Sequence, residues 1–424
     1  MASLAIKGGT LVDATGERRA DIVIDGGSIT AVGDDLSGDV VLDASGCVVS
    51  PGLVDLNARL GQPGHEEAET IESASRAAVL GGFTAVVAMP DTDPAIDGPA
   101  GVREVRELAG DALCDVEIAG TVTIAAAGER LSPMAEMAAL GVRLFTDAGR
   151  GVQDDRLMRR ALEYATGLGV TIAQHCDNAA LSQGGHMHEG VMSSDLGIPG
   201  IPAEAEELMV VRDITLSRLT GGRIHFQHLS TAGSLGMVRA ARSSGLPISA
   251  EVAPHHLVLT DDEVASYDPM FKTSPPLRTA NDVAALRQGL ADGVIDAIVS
   301  DHTPYEPHLK ELPFDQAPPG AVGLETALAI ALTELDLPIA QILGALSWGP
   351  ATVAGVSETH GGPIDAGRPA NLTVVDPAAE WVIDPAAMAS SSRNTPWAGR
   401  TVRGRVRHTI VHGDPVVVDA EARR

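Results

Sequence analysis

From Pro51 onward the chain repeats one pattern, a short apolar run followed by a helical stretch, and this alternation constrains the fold more than any other feature. Buried-strand candidates are 84–89 (TAVVAM), 116–119 (VEIA), 170–173 (VTIA), 223–226 (RIHF), 248–252 (ISAEV) and 295–299 (IDAIV). Helical stretches lie between them at 69–80, 156–167, 203–220, 233–243 and 279–291. A strand reached through a helix runs parallel to its predecessor, because the helix carries the chain back across the sheet. About eight such units close into a (β/α)8 barrel, so a TIM-like barrel over 51–360 is expected. The flanks have another texture. Asp21-Ile22-Val23-Ile24 and Leu372-Thr373-Val374-Val375 are short runs between Gly-rich turns, which signal antiparallel strands. Residues 1–50 and 361–424 are therefore expected to join as one small β-sandwich domain built from both chain ends, giving an α/β protein.

Composition narrows the function. With 57 acidic against 30 basic side chains, the formal charge is −27, which leaves no basic footprint for nucleic acid or an anionic membrane. Aromatic residues make up only 3%, so the core must come from Ala, Val, Leu and Ile, as suits parallel strands covered by helices. Cys47, Cys114 and Cys176 are odd in number and widely spaced, which fits a reducing compartment. No stretch resembles a signal peptide or a membrane span, and a cytoplasmic location is expected.

In a barrel of this kind the chemistry sits at the C-terminal rim, so polar residues directly after the apolar runs are the candidates. Asp147, His175, His228 and Asp301 all stand there. A single rim histidine serves as readily as a hydrogen-bonded structural group. Two imidazoles with one or two carboxylates, in order on one rim, make a binding set for a divalent metal such as zinc. His186-Met187-His188 is formally HxH but reads as a glycine-flanked loop that closes over the rim. Pro254-His255-His256 ends a strand where it could face the pocket, but packing or a backbone hydrogen bond is the favoured reading, and the acidic runs 204–207 and 261–263 read as solvated helix faces or caps.

PGLVDLNARLGQPG, GGFTAVVAMPDTDP, FTDAGRGVQDDRLM, AQHCDN, HFQHLSTAGS, EVAPHHLVLT, KTSPPLR, DAIVSDHTPY and NTPWAG resemble, in order, the signature segments of class I dihydroorotases. These are amidohydrolase-superfamily barrels that close carbamoyl-aspartate to dihydroorotate in pyrimidine synthesis. The resemblance runs from about residue 4 to 415. It implies that Asp301 is the general base and acid, and that His175, His228 and Asp301 belong to a metal site in which the metal activates water.

The same resemblance exposes departures. Family members carry an HxH pair on the first barrel strand followed by a carboxylate-binding Arg; here Asn57 and Arg59 replace the histidines and Gly61 the arginine. An amide oxygen is a poor zinc ligand and a guanidinium offers no lone pair. Ala148 stands where the resemblance implies a bridging carboxylate, unless the adjacent Asp147 fills that role. Among the implied substrate positions, Asp91 replaces an Asn and adds repulsion against an anion, Ser274 replaces an Asn and Tyr305 a His.

The expectation is a dihydroorotase-like protein that has lost catalysis and serves as a structural subunit of aspartate transcarbamoylase, resembling known inactive partners of that enzyme. The alternative is a working cyclic amidohydrolase in which His175, His228 and Asp301 hold a single zinc. At most one zinc is expected, and none on the first reading. A third reading is a binding protein that holds a small anion or nucleotide near Arg59. A homodimer is the expected assembly.

Overall fold

The computed structural model describes residues 3–423. Eight short parallel strands form the barrel: β1 (Leu53–Ala58), β2 (Phe83–Ala88), β3 (Asp115–Ile118), β4 (Leu144–Phe145), β5 (Thr171–Gln174), β6 (Ile224–Phe226), β7 (Ile248–Val252) and β8 (Ala297–Ile298). β1 to β3 and β4 to β8 are two hydrogen-bonded runs. The parallel bridges Gly120 to Phe145 and Ala58 to His302 join their edges and close the ring.

The strands bury both faces with a two-residue period. Val54, Leu56, Ala85, Val87, Ala119, Leu144, Ala173, Ala297 and Val299 fill the inside, and small side chains suffice there because the barrel is narrow. Alternate residues face the helices in the main core, including Phe83, Phe145 and Phe226, all fully buried. Truncating one of these rings to Ala is expected to cost about 3–5 kcal/mol.

The covering helices start and stop on local chemistry. Thr70, Asp154, Thr231 and Thr279 cap α1 (Ile71–Leu80), α2 (Asp155–Leu168), α4 (Ala232–Ser243) and α5 (Ala280–Ala291), each accepting a first-turn N–H. α3 (Glu204–Thr220) has no side-chain cap, and three glutamates in its first turn stand at the positive end of the helix dipole instead.

Both flanks meet in a two-layer β domain. One sheet orders Ser28–Gly33, Asp21–Asp25, Leu4–Lys7 and Val40–Asp43; the other holds seven strands, with Val48–Pro51 from the N-terminal flank between Leu372–Val382 and Thr10–Asp13. Leu4, Ile6, Ile22, Ile24, Val49, Leu372, Val374 and Ile410 form the core between the sheets. This is the barrel with a β-sandwich that the alternation of textures implied.

Two local readings are corrected. Met187–His188 is a two-residue strand paired with Gly200–Ile201, and not a plain loop. Glu206, within the supposedly solvated 204–207 run, is buried and accepts hydrogen bonds from the backbone N–H groups and hydroxyls of Ser230 and Thr231. A helical face whose dipole end abuts a polar loop buries a carboxylate once that loop supplies enough donors.

Candidate functional site

The rim of the barrel surrounds a cavity of about 430 Å3 whose walls include Arg59, Asp91, Asp147, His175, His228, Ser274, Asp301 and Tyr305. Eight of the residues singled out in the sequence are thus brought together. The backbone bends sharply around the cavity: His228 and Asp301 in its wall, and Ala148 between the lining Asp147 and Gly149, have φ of 27°, 48° and 48°, in the left-handed region that side chains other than glycine rarely adopt.

His175 follows β5 and His228 follows β6, and both are buried. His175 Nδ1 and His228 Nε2 lie 3.1 Å apart, while His175 Nε2 and His228 Nδ1 have no partner. Burial pulls the His175 imidazole down to about 4 and His228 well below its ordinary value, so both rings are neutral near pH 7. Glu206 fixes the Ser230–Thr231 turn just beyond His228, and Glu251 Oε1 accepts from the His228 N–H at 3.3 Å. Glu251 in turn binds His225 Nε2 at 2.8 Å, both fully buried.

The first strand faces this pair with other chemistry. Asn57 Nδ2 donates to Asp301 Oδ1 at 3.3 Å and to Glu251 Oε1 at 3.5 Å. Arg59 Nε donates to Asp91 Oδ2 at 2.8 Å, and Nη1 to the Thr303 hydroxyl at 2.8 Å. Burial opposes the charge on Arg59, but Asp91 and Asp301 more than offset it and hold the guanidinium more firmly protonated than usual. Asp91, expected to repel an anion, is therefore neutralised by Arg59. Gly61 cannot carry the arginine it replaces: its φ is 76°, and a Cβ there would stand 1.9 Å from the Glu69 carbonyl oxygen.

The carboxylates divide. Burial pushes Asp301 up to about 8 although Arg59 pulls it down, and its Oδ2 lies 3.5 Å from His255 Nε2. Asp147, proposed from sequence as a metal ligand, turns onto Thr123 instead: it accepts from the backbone N–H at 2.9 Å and the hydroxyl at 2.5 Å. Burial raises its carboxyl, and those two bonds oppose the shift.

The facing nitrogens of His175 and His228 are close to the separation of two ligands on one tetrahedral ion, which at about 2.0–2.1 Å per bond is roughly 3.3 Å. The rest of the donor set does not fit a catalytic metal. Among the described residues, no three His, Cys, Asp or Glu side chains come together as a metal-holding group. Asp301 is engaged by Asn57, Ala148 offers no ligand, and the Arg59 guanidinium lies near Gly149, its Nη2 3.7 Å from where a Cβ there would stand. Of the other histidines, His255 turns Nε2 towards Asp301 without a hydrogen bond, and three are spent elsewhere. His186 and His188 each approach a cation, Lys272 at 3.3 Å and Arg278 at 3.1 Å, and His256 Nε2 meets the Pro275 carbonyl at 3.0 Å.

Sequence reasoning missed Thr303, Glu251 and Thr123. Thr303 had a signal, since it follows Asp301 by two residues on the same rim. The others act through contacts between elements distant in sequence and carry no local mark.

The Dihydro-orotase-like family model matches residues 46–234. The chain is 45% identical over 410 residues to the dihydroorotase of Streptomyces coelicolor, covering 95% of this chain and 96% of that one. It is 44% identical over 424 residues to the dihydroorotase of Pelotomaculum thermopropionicum, covering 98% and 99%. Among solved structures, the L-hydantoinase (dihydropyrimidinase) of Arthrobacter aurescens superposes with a TM-score of 0.88 at 24% identity, over 100% of this chain and 97% of that one, a likeness of fold. Near-complete coverage at this identity, on a barrel and sandwich whose rim carries the family's segments in order, means that the chain belongs to the dihydroorotase family of amidohydrolases.

Proposed function

We propose that this protein of pyrimidine metabolism keeps the dihydroorotase fold without its metal-dependent ring closure, and acts as a non-catalytic subunit of aspartate transcarbamoylase. The observation that carries the loss of catalysis is the rim of β1, where Asn57 and Arg59 stand in the ligand positions and Asp91 and Thr303 fix the guanidinium there. A bound guanidinium opposes a dication directly. The subunit role rests on the family resemblance, and a homodimer is the proposed assembly.

A second reading is favoured by a specific observation, the 44–45% identity to proteins named dihydroorotase along nearly the whole chain. On that reading the protein is an active cyclic amidohydrolase with a single zinc on His175, His228 and Asp301, since two histidines and one carboxylate can suffice for a catalytic zinc. It requires Asp301 to leave Asn57 and turn onto the imidazole pair.

Dihydroorotate turnover in both directions, followed while metal-stripped protein is titrated with zinc by calorimetry, separates the two. Turnover that rises with one bound zinc establishes the second reading and removes the first. No turnover and no stoichiometric zinc supports the first. Failure to co-elute with aspartate transcarbamoylase, with no change in the stability of that enzyme, removes the subunit role.

A further inference from the structure

The histidine pair of His186-Met187-His188 is not part of the rim cavity's wall, and each of its imidazoles meets a cation instead. His186 Nδ1 stands 3.3 Å from the Lys272 ammonium, and His188 Nδ1 stands 3.1 Å from Nη1 of Arg278. Ammonium and guanidinium groups only donate, so both Nδ1 atoms must accept, which a doubly protonated imidazole cannot do. The two contacts are bonds only while both histidines are neutral. Protonation of either ring puts two like charges at hydrogen-bond distance.

The cations are fixed by other bonds. Lys272 is buried and donates to the carbonyl oxygens of Phe314 at 2.7 Å and Asp315 at 3.3 Å, with Nζ 5.4 Å from the centre of the Phe314 ring. Arg278 is buried and gives Nε to the Ser230 hydroxyl at 3.1 Å and Nη1 to the Ile201 carbonyl at 2.8 Å. Neither makes an ion pair among the described residues. Both are charged at pH 7, since burial pulls Lys272 down only to about 8 and a guanidinium keeps its proton. Apart from these contacts and the short pairing of Met187–His188 with Gly200–Ile201, segment 186–201 is docked by a small apolar cluster of Met187, Val264 and Phe314 and by the Tyr267 hydroxyl, which donates to the Leu196 carbonyl at 3.0 Å.

We propose that segment 186–201 is a flap released by acid: neutral His186 and His188 latch it to Lys272 and Arg278, and protonation drives it off them. Burial first, and then Lys272 at His186 and Arg278 at His188, hold the two imidazoles below their ordinary value. Asp315 opposes this at His186, and Asp261, Asp282 and Glu189 oppose it at His188, none of them bonded to either ring. Because the closed-state values are depressed, the latch is at full strength above about 6.5 and weakens as the pH falls below that, where the released flap takes up protons that the closed one refuses. Ser274, in the wall of the rim cavity, lies between the two cations in the chain, so release of the flap uncovers that stretch of the rim.

The test is amide hydrogen exchange of the full chain, read by mass spectrometry at about pH 7.5 and about pH 5.5 and corrected for the intrinsic pH dependence of exchange. Protection across 186–201 is expected to fall at least about fivefold at the lower pH while the barrel strands keep theirs. His186→Gln combined with His188→Gln, whose side-chain amides accept a hydrogen bond but take up no proton, is expected to keep the flap protected at both pH values. Should that variant not fold, titration of the two imidazoles in wild type by NMR decides the same point, and both must titrate below about 6.5. Equal protection of the flap at the two pH values in wild type, release that persists in the folded double variant, or either imidazole titrating at or above about 6.5 overturns the proposal. Loss of protection along the whole chain at the lower pH overturns it as well, because the flap is then no separate unit.

Discussion

The two halves of the rim differ in chemistry. On the β5 and β6 side, His175 and His228 face each other at 3.1 Å, held by Glu251 and by the Glu206 clamp on the following turn. On the β1 and β2 side stand an amide, Asn57, whose Oδ1 has no partner, and an ion pair: Arg59 and Asp91, 32 residues apart, neutralise each other at 2.8 Å. Either substitution alone would have left an unmatched charge in a half-buried site, whereas the pair is self-consistent. Substitutions in a site are therefore read as a set, because a residue that looks hostile to the old ligand can be the partner of a new neighbour.

Four measurements test this contrast. The largest effect is expected from rebuilding the altered half: Asn57→His with Arg59→His and Asp91→Asn should take the protein from no tightly held zinc to about one ion per chain, read by mass spectrometry. If it stays metal-free, the His175–His228 side is not a preserved half-site. Next, Glu206→Gln should destabilise by about 3 kcal/mol in urea denaturation, because donors of Ser230 and Thr231 lose their acceptor in a buried place. A loss below about 0.5 kcal/mol would mean that the retained half does not depend on this clamp.

The third measurement uses pH. The folded-state value of Asp301, about 8, lies above its ordinary 3.8, so between these limits the folded chain holds a proton that the unfolded chain has released. Stability attributable to this group therefore falls as pH rises from about 4 to about 8 and is level above that. Asp301→Asn should lack this slope, its stability relative to wild type rising by up to about 1.4 kcal/mol per pH unit across that window, by thermal or urea unfolding. Parallel pH profiles for the two proteins would place the Asp301 carboxyl in a wetter setting than its burial indicates. The smallest effect is expected from Arg150→Ala, whose exposed side chain lacks an ionic partner: stability should stay within about 0.5 kcal/mol.

Much of the architecture was legible because it rests on periodicity. The eight-unit rhythm and the short flank strands follow from residue patterns within a dozen positions, but the flanks are not wholly antiparallel as expected, since Leu4–Lys7 pairs parallel with Val40–Asp43 and Thr10–Asp13 with Val48–Pro51. β4 is only two residues long, Leu144–Phe145, so its apolar run of 142–146 reads longer than the strand. The site was legible in membership but less so in orientation. His175, His228 and Asp301 follow their strands as the rim rule implies, but the direction of Asp147 depends on Thr123 and the charge state around Asp91 on Arg59. Glu206 was misread for the same reason, since its donors come from the turn after β6. Contacts across the rim join residues whose spacing carries no period.

The β-sandwich has a consequence for the order of events on the ribosome. Val48–Pro51 is zipped to Leu372–Val375, so a strand made early pairs with one made about 320 residues later. At roughly 5–20 residues per second that interval lasts from about a quarter of a minute to a minute. Throughout it the barrel can assemble while the first strands wait with an open edge, and the sheet that joins the two flanks is sealed only after the last barrel helix has left the exit tunnel.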